Sequence, residues 1–182
     1  YNQLIVDPDV ELQFEDLEAV VDDIRRWRPV QHIIGTADFA DMELEVTSDV
    51  LIPRPETEEL VMWISEESHP GARIVDVCTG SGCIAISLAL AGCRVTAMDI
   101  SEEALSVASE NASVLNAEVV LMHENILQPS LASGRWDVIV SNPPYVCLSE
   151  AEEMERNVLD YEPHMALFVP DSDPLIFYRA IA

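Results

Sequence analysis

The sequence predicts an α/β protein: an open parallel sheet with helices on both faces, preceded by a small helix-plus-β-hairpin unit. Three observations carry this. From residue 73 onward, short β-branched runs alternate with amphipathic stretches, the pattern of parallel strands joined by right-handed crossovers. A turn containing glycines, Asp76-Val77-Cys78-Thr79-Gly80-Ser81-Gly82, joins the first run to its helix. The last run, Trp136-Asp137-Val138-Ile139-Val140-Ser141, stops at Asn142-Pro143-Pro144-Tyr145. Consecutive prolines lack amide donors and cannot extend a strand.

The elements follow in order. Asp7-Pro8-Asp9 supplies a capping carboxylate and a first-turn proline, and both favour a helix start. Val10, Phe14, Leu17, Val21, Ile24 and Trp27 then recur at helical spacing, predicting an amphipathic helix to about Arg28 that Pro29 ends. Trp27, like Trp63 further on, is expected in the core. Between 35 and 52 the rhythm shortens to Phe39, then Leu44 and Val46, around Asp41, which reads as a hairpin. Pro53-Arg54-Pro55-Glu56-Thr57-Glu58-Glu59 is a hinge into a helix whose early carboxylates suit the helix dipole. Arg54 is expected to cap or to form a salt bridge.

Strands are expected at 74–77, 94–98, 118–122 and 136–140, with helices at 82–90, 101–115 and 174–182. Ser101 should cap the second of these helices. Ser149 and Glu152 have the spacing of a capping box. The fourth strand is expected at an open apolar sheet edge, and the chain reads as a piece of a longer protein, truncated at both ends.

Composition bounds the function. A chain of 182 residues, 49% hydrophobic, buries one core and a small appendage. No apolar run reaches the roughly 20 residues that span a bilayer, and no basic-then-apolar leader precedes the fold, so a cytoplasmic protein without membrane contact is expected. Cys78, Cys83, Cys93 and Cys147 show no C-x-x-C pairing and read as free thiols. The four histidines share no metal spacing, so no metal is expected. The formal charge of −25 argues against a large phosphate-binding surface. All nine basic residues are arginine, which fits a halophile-like surface or lysines carrying a modification. Restoring roughly ten lysines would still leave an acidic protein.

Two motifs carry chemistry. In the 76–82 turn the glycines permit a tight bend, and the following helix offers free amides to a ligand. The third glycine of the dinucleotide pattern is missing, with Ala85 in its place. Asp99 ends the second strand, where a carboxylate accepts from both ribose hydroxyls of a nucleoside. Each piece alone also reads as a plain turn and a helix cap. In register together, they favour a nucleoside cofactor.

Asn142-Pro143-Pro144-Tyr145 reads either as a strand terminator with an Asx turn or as the seat of a planar nitrogen. In the second reading the Asn142 side-chain oxygen and the Pro143 carbonyl accept from an NH₂ group, directing its lone pair at the cofactor. The Tyr145 ring packs on the planar group.

With both motifs in hand, the chain resembles class I S-adenosylmethionine-dependent methyltransferases acting on a planar nitrogen. Val50-Leu51-Ile52-Pro53-Arg54-Pro55-Glu56-Thr57-Glu58 and Tyr161-Glu162-Pro163 with Ala166-Leu167 narrow the resemblance to the HemK/PrmC family, the peptide-chain release factor glutamine methyltransferases. It implies a Rossmann-like sheet and S-adenosylmethionine as cofactor, with S-adenosylhomocysteine as product. The implied reaction is methylation of the glutamine side-chain amide in the Gly-Gly-Gln motif of release factors, a modification serving translation termination.

The same resemblance implies that residues 1–52 end a substrate-recognition domain and that 53–182 form the catalytic domain. It puts Cys78, Thr79, Gly80, Ser81 and Gly82 around the methionine moiety, Asp99 on the ribose, and Asn125 and Ile126 beside the adenine. Asn142, Pro143, Pro144 and Tyr145 hold the glutamine amide, with Asn142 shared between cofactor and acceptor. Cys78 stands where the family usually has glycine, and Asn125 where it usually has Asp. A monomer is expected. The rival readings are a ribosomal-protein glutamine methyltransferase, a nucleic-acid amino-methyltransferase acting on adenine or guanine, and a cofactor-binding module without activity.

Overall fold

A computed structural model describes residues 17–128 and 135–182. The expected helix start at residues 7–14 lies outside them. The helix it would begin is present as α1 (Leu17–Arg25). A short α2 (Val30–Ile34) follows Pro29. Then come β1 (Thr36–Phe39) and β2 (Met42–Glu45), paired antiparallel with Phe39 opposite Met42. The two-residue turn between them, Ala40-Asp41, has φ of 48° and 60°. Such left-handed turns match the twist of a hairpin.

The sheet begins after α3 (Pro55–Glu67). Its strands are β3 (Arg73–Val77), β4 (Arg94–Asp99), β5 (Val119–His123) and β6 (Val138–Ser141), in the order β5-β4-β3-β6 and all parallel. Helices α4 (Cys83–Leu90) and α5 (Glu102–Val114) are the crossovers from β3 to β4 and from β4 to β5. Ser101 Oγ caps α5 by accepting from the Ala104 amide at 3.0 Å. The expected strands lie within one or two residues of those observed.

Alternation along the strands divides the core. Ile74, Val95, Ala97 and Val140 pack with Ile84, Ile86 and Leu88 of α4 and Val61 and Ile64 of α3, and Phe39 and Leu44 of the hairpin join them. Val75, Val77 and Met98 face the other way, against Ile126 and against Phe177 and Ile181 of α8 (Ile176–Ile181). The hairpin side also packs Ala37, Val46, Val50 and Ile52 on Ala104 and Val107 of α5. Among the described residues β6 is an edge strand, with Ile139 half exposed, as the sequence led us to expect.

The two tryptophans overturn an expectation. Trp63 is 65% exposed and Trp27 52%. Helix α3 buries Thr57, Val61 and Ile64, a stripe that leaves 62 and 63 on the outer face. Trp27 has φ 70°, so it has left the helical path after α1 and its ring does not continue that helix's face.

Beyond β6, β7 (Val146–Cys147) pairs in parallel with β8 (Phe168–Val169). A 3-10 turn (Leu148–Glu153), α6 (Arg156–Leu159) and α7 (His164–Leu167) lie between. The capping box here is Cys147 with Glu150, two residues earlier than its expected place. The Cys147 amide donates to Glu150 Oε2 at 2.8 Å, while the Ser149 amide and hydroxyl both donate to Asp171 Oδ1, at 3.0 and 2.5 Å. Ser149 therefore ties the turn to the segment after β8.

Candidate active site

Strand β3 is flanked by β4 on one side and β6 on the other, so the connections leaving the two sides diverge above it. Ligands of open α/β sheets bind in that crevice, at the carboxyl ends of the strands. A cavity of about 280 Å³ lies there. Cys78, Thr79, Gly80, Ser81, Asp99, Asn125, Ile126, Asn142 and Pro144 all line it. The two motifs, 64 residues apart in sequence, meet because Val77 is opposite Ser141 in the β3–β6 register. Ser141 Oγ donates to the Val77 carbonyl at 2.5 Å.

The turn after β3 is held from beneath. Thr79 Oγ1 donates to Asp76 Oδ2 at 2.6 Å, and the Thr79 amide donates to the Met98 carbonyl at 3.0 Å. The Gly80 amide donates to Asp99 Oδ2 at 2.9 Å, while Asp99 Oδ1 accepts from the Ser101 amide at 3.0 Å. A carboxylate has about four lone-pair sites, so Asp99 is oriented by main chain and keeps acceptor capacity toward the cavity.

Cys78 and Gly80 have φ of 60° and 56°. The left-handed cysteine is the strained position of the turn, since side chains with a Cβ rarely adopt it. Burial, then the charges of Asp99 and Asp76, pushes the Cys78 thiol up to about 12. It stays protonated and is no nucleophile at neutral pH. Asp76 is fully buried, and this burial pushes its carboxyl up to about 7, against the opposing pull of the Thr79 hydroxyl.

Three expected residues stand outside the cavity lining. Gly82, at φ 82°, lies behind the turn, where an added Cβ would come within 3.1 Å of Ala108 Cβ and Ile86 Cδ1. It allows the turn to approach α5. Pro143 is buried, and Tyr145 is 59% exposed at the surface. The Asn142 carboxamide makes no hydrogen bond to the described residues, yet it lines the cavity. A carboxamide oxygen and NH₂ group are thus available to a ligand there.

Sequence reasoning missed the far wall. Val50, Leu51, Pro53, Arg54 and Thr57 line it from the strap before α3, and Pro163, Met165, Ala166 and Phe177 from the segments around α7 and α8. Glu162 joins these two pieces, its Oε1 2.5 Å from Arg54 Nη2 and its Oε2 accepting from the Ile52 amide at 3.1 Å. Tyr161 adds a hydroxyl bond to the Arg26 carbonyl at 2.8 Å. A lone glutamate in a short segment gives no periodic signal, so only the resemblance marked this stretch. No group of His, Cys, Asp or Glu among the described residues is arranged to hold a metal ion.

Comparison with known proteins bears on the family and the fold. The family model of the methyltransferase small domain matches residues 39–160. The release factor glutamine methyltransferase of Flavobacterium psychrophilum is 45% identical, over 98% of this chain and 66% of that protein. Those of Bacteroides thetaiotaomicron and Bacillus subtilis are 49% and 46% identical, over 92% and 83% of this chain and 61% and 55% of theirs. The chain thus spans about 55–66% of the length of these relatives.

Among solved structures, the Pyrococcus abyssi tRNA (uracil-54, C5)-methyltransferase in complex with S-adenosyl-L-homocysteine superposes at TM-score 0.53 and 19% identity, over 79% of this chain and 36% of that one. Trm5b from the same organism gives 0.53 and 18%, over 80% and 45%. At that identity the likeness is one of fold, the class I methyltransferase sheet. The turn at 76–82 and the Asn142 tetrapeptide both lie within the matched span, and the chain belongs to the methyltransferase small domain family, with relatives that are named release factor glutamine methyltransferases.

Proposed function

We propose that this chain carries the catalytic part of a protein-glutamine N-methyltransferase. It uses S-adenosylmethionine to methylate the side-chain amide of the glutamine in the Gly-Gly-Gln motif of peptide chain release factors. One observation carries the reading: the free Asn142 carboxamide and the Cys78–Ser81 turn with Asp99 line a single cavity. In this reading residues 53–182 form the catalytic domain, and residues 1–52 end the domain that meets the acceptor.

The cavity fits the cofactor in kind. Asp99 offers free lone pairs for a ribose diol, and Asn125 and Ile126 offer a partly apolar wall for a purine. The turn places no side chain at Gly80, where an added Cβ would meet nothing within 4 Å. The cofactor supplies an electrophilic methyl carbon on a sulfonium.

The protein's work is alignment. An amide nitrogen is a poor nucleophile because its lone pair is conjugated with the carbonyl. Asn142 Oδ1 and the Pro143 carbonyl accept from the two N–H groups of the glutamine amide, which fixes the nitrogen and turns its lone pair inward. With the cofactor bound, its sulfonium would supply the methyl group in line with that lone pair and keep the bonding pair on sulfur, and the amide proton would pass to solvent as or after the transfer. No histidine or carboxylate in the tetrapeptide is placed as a general base, so Asn142 acts by position.

The test is to incubate labelled cofactor and the protein with a release factor, with the same factor carrying Gln→Ala in its motif, and with bulk nucleic acid. Label is expected on the first alone. Label on nucleic acid only would overturn the reading.

A further inference from the structure

Of residues 78–82, only Cys78 offers the cavity an accessible side chain. Thr79 and Ser81 are buried, the Thr79 hydroxyl is turned down onto Asp76, and the two glycines have no side chain to offer. Cys78 is half-buried and lines the cavity. It carries its side chain at a φ of 60°, close to the 56° of Gly80. Left-handed backbone disfavours a Cβ, so glycine at 78 would close this turn with less strain.

The strand register decides where the Cys78 side chain stands. Val77 is opposite Ser141 in the parallel β3–β6 pair. The two chains leave the sheet there side by side, one continuing as Cys78 and the other as Asn142. The Ser141 hydroxyl is within reach of the thiol, and Cys78 and Asn142 line the same cavity. Cys78 is therefore the residue of the turn that borders the acceptor half, and a group crossing between the halves passes its side chain. The thiol does not compete for that group, because burial holds it protonated and a thiol is a far weaker nucleophile than a thiolate. What it presents is bulk: one carbon and one sulfur.

We propose that Cys78 is the size filter of the transfer point: its Cβ and Sγ fill the space beside Asn142, so that a methyl group passes and a longer alkyl chain does not. This rests on the function proposed above and concerns the group transferred, not how its carrier is held. Glycine at 78 frees the room of one carbon and one sulfur, close to the two carbons by which an allyl group exceeds a methyl. Whichever group is transferred, one C–N bond forms at the amide, one C–S bond breaks with its electron pair left on sulfur, and one amide proton passes to solvent.

The test compares S-adenosylmethionine with its S-allyl analogue. Each is mixed with the protein and a release factor in single turnover, and mass spectrometry of the glutamine peptide gives the ratio of methyl to allyl transfer. Each carbon that a pocket rejects is worth about 10–200-fold, so wild type is expected to favour methyl by about a hundredfold or more. In Cys78→Gly, whose backbone accepts this φ freely, that preference should shrink by about tenfold or more. Cys78→Ser keeps nearly the same bulk without the sulfur, and its preference should stay within about threefold of wild type. The ratio is taken within one protein, so a general loss of stability or turnover cancels.

An unchanged ratio in Cys78→Gly would overturn the filter. So would a wild type that transfers allyl as readily as methyl, or a Cys78→Ser ratio that moves as far as that of the glycine variant. In each of these cases methyl transfer to glutamine stands and only the filter falls. Wild-type protein that modifies the glutamine with neither donor overturns the proposed function, and the filter with it.

Discussion

Asn111 on α5 grips the main chain of Glu45 on β2 with both ends of its carboxamide. Its Oδ1 accepts from the Glu45 amide at 2.7 Å and its Nδ2 donates to the Glu45 carbonyl at 3.0 Å. The same Nδ2 donates to the Ser81 carbonyl at 3.0 Å, and the residue is 3% exposed. One side chain thus holds the hairpin and the cavity turn in a fixed relation. Asn111→Ala leaves these main-chain groups without partners in a buried place, and is expected to cost about 3 kcal/mol in urea unfolding. Asn111→Asp is expected to be no better, because a carboxylate cannot donate to two carbonyls.

Asn142→Ala should separate alignment from binding. Asn142 takes no part in the fold's hydrogen bonds among the described residues, so stability is expected to be near wild type. Affinity for the cofactor should stay within about threefold, while single-turnover methylation falls by about a hundredfold, the scale of a lost alignment. A single-turnover rate close to wild type would remove Asn142 from its proposed role.

Asp99→Ala should act on the other half. The substitution takes away the proposed ribose acceptor and also releases the Gly80 and Ser101 amides that Asp99 now holds. Cofactor affinity is expected to drop by about tenfold or more in calorimetry, with turnover at saturating cofactor much less affected.

Asp76 predicts a pH signature. Its carboxyl is raised from 3.8 to about 7 in the folded protein by burial. Between those values the native state holds a proton that the unfolded chain releases, so stability from this group is full below the unfolded value and declines as pH rises toward 7. Asp76→Asn keeps the shape without the titration. The wild-type minus variant difference in unfolding free energy should fall from about pH 4 to pH 7 and then level off. A flat difference would show that Asp76 titrates normally.

Gly82→Ala tests the close approach of the turn to α5. The left-handed φ and the contacts of 3.1 Å to Ala108 and Ile86 both oppose a Cβ, and a loss of about 1–3 kcal/mol is expected in thermal or urea unfolding. Gly80→Ala meets no such neighbours and should cost less stability, although its side chain would enter the cavity.

The parts of this molecule that were legible in the sequence are those with a local signal. Strand β3 and its turn, Asp99 at the end of β4, and the proline stop after β6 each announce themselves within a few residues. Strand order was not among them: handedness constrains each crossover, but the return of β6 to the side of β3 shows only in the fold. Asn111, Glu162 and Thr57 were not legible, because each acts through partners tens of residues away or through a cavity that exists only after folding. Glu162 and Arg54 are 108 residues apart, and nothing in either neighbourhood names the other. The exposed rings of Trp27 and Trp63 failed for a related reason: composition sets how apolar a residue is, while the helix face it occupies is set by the rest of the core.

The β3–β6 pairing has a consequence for assembly in time. Strands β3, β4 and β5 follow one another along the chain, so their pairing is comparatively local, whereas β6 must return past β5 and β4 to reach β3. Closing that long loop is a slow, late kind of contact. During synthesis the turn that would seat the methyl donor can form while the acceptor wall is still absent. Docking of Ser141 beside Val77 then brings Asn142 to the turn, and the far wall from residues 163–177 closes the cavity afterwards.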